Sequence, residues 1–213
     1  MTWRDLDTVL QCADDAIRCD TPNKYFAGGN GDFSVILDEE GKYFYFLIST
    51  YHKDPAEQGL SIARMRYEDR DDPKGKAFKW HQGKWEEAGI GGRVTPLFTA
   101  QTHWHPESAH TLLGPSIHYN THLRQYVILM NRTRDQNWTQ EGTYVTFNPD
   151  ISDPARWSEP KKVYDGGPWY PQVIGTNAAE RETDKRAGRV ARLFLRGHSK
   201  WELVFLRPGE TAP

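Results

Sequence analysis

The feature that most constrains this chain is a hairpin pattern that occurs three times. In residues 114–130, GPSIHYNTHLRQYVILM, a Gly-Pro pair opens a short apolar strand, the polar sequence NTH makes a turn, and a second apolar strand follows. Residues 31–51 and residues 169–197 have a similar arrangement. Self-similarity at a spacing of tens of residues indicates repeated supersecondary units that stack on one another.

Each of the first two repeats continues beyond its hairpin to about four strands. Alternating apolar residues and turn sequences such as DEEG define the strands, and no stretch has convincing helical periodicity. The expected strands are 33–37, 42–49, 60–67 and 77–85 in the first unit, 116–119, 125–131, 143–148 and 161–164 in the second, and 170–174, 189–196 and 201–207 in the third.

Such units predict an all-β fold of the β-propeller type, in which neighbouring blades cover each other's faces. We expect one partial or atypical propeller domain over residues 1–213, with about three four-stranded blades visible. Their approximate limits are 31–87, 114–165 and 169–207. The charged residues 177–188, inserted in the third unit, are expected to be a solvated loop.

The third unit has no fourth strand after residue 207, but the N-terminus contains a spare candidate. Residues 3–10, WRDLDTVL, match residues 157–164, WSEPKKVY, since each has a Trp six residues ahead of a Val that a large apolar residue follows. We interpret both as outer strands. Either residues 3–10 close the third blade within the chain, or a larger ring is completed by missing sequence or a second copy. Open blade faces associate readily, so we expect a homo-oligomer.

Composition narrows the possible partners. The net charge is −2 and the short Lys/Arg clusters are mixed with acids, so nucleic acid is not an expected partner. No run of about 18 apolar residues could cross a membrane, and the N-terminus is too polar for a signal peptide. We therefore expect a soluble chain of unknown location. The 8 Trp and 10 Tyr residues suit both sheet packing and stacking on sugars.

Several stretches resemble the five-bladed β-propeller glycosidases, which include family 43 arabinanases and xylosidases and, more distantly, invertase-like enzymes. The GDF- and GPS-type strand openings and the YFYF hairpin strand contribute to this resemblance. So does Asn148-Pro149-Asp150 followed by Trp157 and Pro160, which is similar to the family's S-x-D-L…W…P passage. The resemblance covers nearly the whole chain and implies a truncated propeller that is glycoside hydrolase-like and binds a carbohydrate. The alternative is a non-catalytic carbohydrate-binding or scaffold propeller.

The family places its catalytic carboxylates at or near the starts of inner strands, where one protonates the leaving oxygen and another activates water. Asp32 matches such a position and would act as base or orienter, or else simply cap a turn. The second and third units carry GPS and WYPQ there, without an acid. Two other residues are candidates for the acid: Glu107, and Glu141 if the neighbouring Trp138 raises its pKa. Glu141 could equally be a solvated loop carboxylate.

In a propeller, the starts of inner strands and the turns between second and third strands lie on one rim. Arg134 and Trp138 would give a donor fork and a stacking face for a sugar there. His118, within an inner strand, either holds a water or a structural cation in the channel or is a core histidine. The candidate substrate-binding residues are Tyr51, His52, Arg134, Trp138, His118, Trp169, Tyr170 and His198.

Two other chemistries have weaker support in the sequence. His103, His105, Glu107 and His110 are residue types that bind zinc, but their spacing matches no standard site, so no metal and no cofactor is predicted. Ser116 and His118 would lie on one side of a strand. A nucleophilic pair of this kind also needs a third, orienting group, and none is evident.

Overall fold

The computed structural model describes residues 2–13, 16, 29–52, 54–100, 111–134 and 139–211. In this part of the chain there are fourteen β-strands in three sheets, several short 3₁₀ turns and no α-helix. The predicted all-β fold class is therefore confirmed. No helix among the described residues is long and apolar enough to span a membrane.

The first sheet has the order β1-β2-β3-β4-β5 and is antiparallel throughout. The expected fourth strand splits in two at Gln82-Gly83, where φ is 46° and 84°, because two central residues with positive φ make a tight hairpin turn. A short sixth strand pairs with the start of β3. The bounds are β1 (Asn30–Leu37), β2 (Tyr43–Thr50), β3 (Gly59–Arg66), β4 (Ala77–His81), β5 (Lys84–Ala88) and β6 (Phe98–Thr99).

The second and third sheets follow the predicted strand pattern. The second has the order β10-β9-β8-β7, and β12 pairs in parallel with β7. The third has the order β11-β13-β14. The bounds are β7 (Thr111–Asn120), β8 (Gln125–Thr133), β9 (Gln140–Asn148), β10 (Lys161–Asp165), β11 (Pro171–Gly175), β12 (Arg186–Ala187), β13 (Val190–Leu195) and β14 (His198–Val204).

The second sheet packs between the other two, as the side chains of strand β8 show. Successive side chains of a strand point to opposite faces, so Ile128 and Met130 join the cluster shared with the first sheet, whereas Val127 and Leu129 join the cluster shared with the third. All four side chains are buried. The first strands of the three sheets, β1, β7 and β11, are neighbours, with β7 in the middle. This is a blade arrangement of the β-propeller type.

Within one copy of the chain, the prediction that residues 3–10 close the third blade as an outer strand is wrong. These residues form no strand, and Trp3 is 90% exposed. The segment runs into the first blade, where the Gln11 N–H donates to the Gly89 carbonyl (2.9 Å). The buried Lys79 ammonium donates to the carbonyls of Gln11 (2.5 Å) and Gly92 (2.7 Å). These bonds hold the segment at the first blade, so it does not close the third.

The charged insertion is only partly the solvated loop that its composition predicts. Residues 176–181 are exposed, but the insertion ends in β12 on the free edge of the inner strand β7. The Tyr119 and Thr121 N–H groups donate to the carbonyls of Lys185 (2.9 Å) and Ala187 (2.8 Å). The charge pattern of the insertion could not predict this pairing, because the pairing is made by backbone groups only.

Candidate functional site

In every blade, the start of the inner strand and the end of the second strand lie at one rim. Asn30 at the start of β1 pairs with Thr50 at the end of β2, and Pro171 in β11 pairs with Leu195 in β13. The same holds for β7 and β8. The rim that the sequence predicted as a ligand-binding edge is thus formed by the expected segments.

A cavity of about 390 Å³ opens at this rim, where the first and third blades approach each other. It is lined by Asp32, Tyr51, Trp169 and Tyr170, all four of which are sequence-predicted site residues. The Trp169 and Tyr170 rings lie 6.4 Å apart and are tilted by 46°. The cavity therefore combines one carboxyl group with three aromatic side chains.

The local backbone explains how Asp32 reaches the cavity. The pairing of β1 with β2 has a register shift between Gly31 and Phe33, and such bulges re-aim a side chain. At Gly31, a β-carbon would lie 2.5 Å from Cε2 of Tyr51. A side chain at residue 31 would therefore displace the Tyr51 ring from the cavity wall.

The environment of Asp32 shifts its pKa above that of an exposed aspartate. Burial raises the pKa of Asp32, and the hydrogen bonds from the Tyr170 hydroxyl and from its own backbone N–H only partly oppose this. Burial and the negative charge of Asp32 raise the pKa of Tyr170, and the same causes raise the pKa of Tyr51. Both phenols therefore stay protonated at neutral pH and can donate hydrogen bonds.

Tyr170 is held in an uncommon backbone conformation. Its φ is 64°, in the left-handed region that costs an ordinary residue roughly 1–3 kcal/mol. Its N–H donates to Oδ1 of the fully buried Asn131 (2.9 Å). On the other side of the third blade's hairpin, the Arg196 N–H donates to the Trp169 carbonyl (3.0 Å). These bonds fix the ring that reaches Asp32.

The position where the second blade lacks its expected carboxylate lies beside Asp32. Gly114 has a φ of 62°, and a β-carbon there would be 3.9 Å from Oδ2 of Asp32 and 3.7 Å from the Tyr170 ring. The glycine leaves this space open. Because residue 114 is a glycine, no side chain projects from it into the space beside Asp32 and Tyr170.

A second depression of about 360 Å³ shares Tyr170 with the first and extends along the inner strands. Its polar lining includes Ser34, Ser116, Gln172 and Lys185. The Lys185 ammonium donates to Ser34 Oγ (3.4 Å) and pairs with Asp184 (3.3 Å). Sequence reasoning missed Lys185 because only the β12 pairing brings the insertion to this place.

Glu141 has a different environment from the one that an acid catalyst needs. Burial raises the pKa of Glu141, but this effect is outweighed by the Lys162 ammonium and by the Tyr144 hydroxyl, which donates a hydrogen bond to Glu141 (2.5 Å). The net pKa is below the usual value, so Glu141 is held as a carboxylate. The sequence hypothesis required a raised pKa, and the structure gives the opposite direction.

His118 is a core histidine and does not reach either depression. It is fully buried, its ring packs edge-on against Phe205 (5.6 Å), and neither ring nitrogen has a hydrogen-bond partner. Burial, with the charge of Lys185, lowers the pKa of His118 to about 3. His118 therefore lines neither depression, which fits the alternative of a core histidine and not a role in substrate binding, and Ser116 and His118 make no hydrogen bond to each other.

The remaining candidates that the structure describes do not line the cavity. His52 is buried and its Nδ1 accepts the Asp54 N–H (2.9 Å), whereas Arg134 and His198 are exposed near the rim. Glu107 and Trp138 lie outside the described residues, as does the whole His-rich stretch from residue 103 to residue 110. Among the residues that the structure does describe, no three His, Cys, Asp or Glu side chains are grouped to hold a metal ion.

No protein-family model matches this sequence, and no curated protein does. Two solved structures are similar. One is the catalytic domain of a GH62 α-L-arabinofuranosidase from Coprinopsis cinerea, with 16% identity and a TM-score of 0.43 over 87% of this chain and 47% of that chain. The other is an endo-arabinase from Bacteroides thetaiotaomicron, with 14% identity and a TM-score of 0.47 over 88% and 60%. The chain thus spans between about half and three fifths of their length.

Proposed function

We propose that this chain is a carbohydrate-active, glycoside hydrolase-like protein that binds a glycan in the cavity around Asp32. The observation that carries the proposal is the half-buried Asp32 carboxyl, with its raised pKa, among the rings of Tyr51, Trp169 and Tyr170. Aromatic rings stack on the apolar faces of sugars. A carboxyl group with a raised pKa is suited to proton transfer near neutral pH.

The raised pKa of Asp32 supports the role of proton donor, in place of the base or orienter that the sequence suggested. In this proposal Asp32 delivers a proton to the glycosidic oxygen, a role that its raised pKa supports, and the Tyr170 hydroxyl orients the carboxyl group. Hydrolysis requires a second carboxyl group to activate water or to attack the sugar. The sequence analysis offered Glu107 as the acid; with Asp32 as the proton donor, Glu107 would instead take this second role.

Turnover of aryl glycosides tests this proposal. The purified chain should release the aryl group from at least one of α-L-arabinofuranosides, β-xylosides and fructosides. Asp32→Asn should reduce that rate by about 100-fold or more, as loss of a general acid–base group does. Asp72→Asn makes the same chemical change at an exposed carboxylate of the first blade and should leave the rate unchanged. Absence of turnover on every substrate would refute a hydrolytic function.

A non-catalytic glycan-binding function is the second candidate, and one observation favours it. Among the described residues that line the two depressions, Asp32 is the only carboxylate. In this case, calorimetry would detect oligosaccharide binding without turnover. Trp169→Ala would weaken that binding because it removes a stacking ring, whereas Asp32→Asn would largely preserve it.

A further inference from the structure

The outer edge of the third blade is open in the described part of the chain. Strand β14 pairs with β13 on one side and with no described strand on the other. Such an edge leaves backbone N–H and C=O groups unpaired. Next to it, an apolar groove of about 560 Å³ separates the third blade from the second, with Trp201 and Leu203 on one wall and Phe147, Val163 and Tyr164 on the other.

The second blade shows what occupies the corresponding place one blade earlier. There, the outer strand β10 pairs with β9, and Trp157, which precedes it, is 9% exposed in the apolar cluster shared with the first blade. The Ser158 N–H donates to the Phe147 carbonyl (2.9 Å), which ties this segment to the sheet. A tryptophan followed by an outer strand thus fills the space between the first and second blades.

Residues 3–10 have the same sequence pattern as this segment but make none of its contacts. Trp3 is 90% exposed, although a tryptophan that buries roughly 150–250 Å² contributes strongly to a core or an interface. The segment is held by the exposed Lys74–Asp7 pair (2.6 Å) and by Arg4, which donates to the Asp71 carbonyl (2.6 Å). Exposed ion pairs contribute roughly 0–1 kcal/mol, so these polar contacts hold the segment weakly, and the partly buried Leu6, Val9 and Leu10 supply the rest of its contact with the first blade.

The length and the charge of residues 3–10 also fit the open edge of β14. At about 3.3 Å per residue, the eight residues 3–10 match the seven residues of β14. Residues 3–10 carry one Arg and two Asp, a net charge of −1. Residues 189–207 carry five Arg or Lys and one Glu, a net charge of +4. Opposite charges favour correct docking and faster association.

A second copy is the occupant that the backbone contacts favour. Residue 10 is followed directly by Gln11, which is bonded to Gly89 and Lys79 of the first blade. The first and third blades pack on opposite faces of the second blade. Residues 3–10 therefore reach β14 of their own chain only if Gln11 leaves its partners, whereas a neighbouring copy can accept them with those bonds intact.

We propose that residues 3–10 of one copy add to the free edge of β14 in a second copy as its antiparallel fourth strand, with Trp3 in the apolar groove. The exchange is reciprocal, which gives a two-fold dimer with the same contact made twice. The contact does not depend on glycan binding, so it can hold or fail separately from the proposed function.

Light scattering over a concentration series tests this interface with two complementary variants. Trp3→Ala removes the inserted ring, and Val163→Arg places a charge in the groove at a residue that is 52% exposed. Because both positions are exposed, both variants should fold. We expect a dimeric wild type and a dissociation constant raised at least tenfold in each variant, which corresponds to about 1.4 kcal/mol. Tyr67→Ala, at an exposed ring of the first blade, is the control and should dimerise normally.

Mixing the two variants gives the decisive result. A heterodimer has one intact contact, between the segment of the Val163→Arg copy and the groove of the Trp3→Ala copy, whereas each variant's own dimer has none. The mixture should therefore associate more tightly than either variant alone. A wild type that is monomeric throughout the series, dimerisation unaffected by Trp3→Ala, or no gain on mixing would each overturn the proposal.

Discussion

Replacement of Asn131 by alanine should disturb the candidate site from a distance. Asn131 is fully buried, and its Oδ1 accepts the N–H of Tyr170, whose φ is 64°. Without this acceptor, the strained backbone of Tyr170 can relax to an ordinary conformation. The Tyr170 hydroxyl then leaves Asp32, although Asn131 itself makes no hydrogen bond to that carboxyl group.

The expected loss of stability follows from the lost hydrogen bond. Leaving a backbone donor without its partner costs roughly 1–3 kcal/mol, and relief of the left-handed conformation returns part of that cost. We therefore expect Asn131→Ala to lower the free energy of unfolding by about 1–2 kcal/mol, measured by urea denaturation. Thr143→Val is the matched control, since Thr143 pairs with Asn131 and its buried hydroxyl has no partner. Its loss should be neutral or slightly stabilising.

A second measurement separates positioning from simple destabilisation. Because the Tyr170 hydrogen bond lowers the pKa of Asp32, Asn131→Ala should raise that pKa, as followed by NMR titration of the Asp32 carboxyl carbon. Thr143→Val should leave the titration unchanged. An unchanged Asp32 titration in folded Asn131→Ala, or a stability loss below about 0.5 kcal/mol, would refute this reasoning.

Two further predictions concern the site and the core. Tyr170→Phe removes the donor that favours ionised Asp32, so the pKa of Asp32 should rise further and its NMR titration should move to higher pH; a downward movement would show that the hydroxyl does not donate to it. Ile128→Ala, at a fully buried contact between the first and second blades, should cost about 2–5 kcal/mol in urea denaturation. Ile90→Ala, at a residue 37% exposed, should cost about 0.5 kcal/mol or less; equal costs would contradict the blade packing.

The fold class could be predicted from the sequence because hairpin turns and alternating apolar residues are local signals. The second hairpin, for example, forms β7 and β8, which contain the predicted strands 116–119 and 125–131. The prediction that residues 3–10 close the third blade of their own chain is wrong, because their position depends on the backbone hydrogen bond that holds Gln11 to Gly89 of the first blade. A local pattern carries no information about that bond.

The site was predictable to the extent that it follows from topology. Asp32, Tyr51, Trp169 and Tyr170 were placed together because strand starts share one rim, and they do line one cavity. The lowered pKa of Glu141 could not be predicted, because it depends on Lys162, which lies on a neighbouring strand 21 positions further along the chain. Partners across strands decide such properties, and sequence spacing does not reveal them.

Binding of a glycan at the Asp32 cavity can be observed directly through the tryptophan indole N–H signals in an NMR titration. With arabino-, xylo- or fructo-oligosaccharides, the Trp169 signal, assigned with Trp169→Phe, should shift and saturate because this ring lines the cavity. The Trp201 signal should not respond, because that ring lies in the groove between the second and third blades. No saturable shift of Trp169 with any of these sugars, or a shift confined to Trp201, would contradict the proposed site.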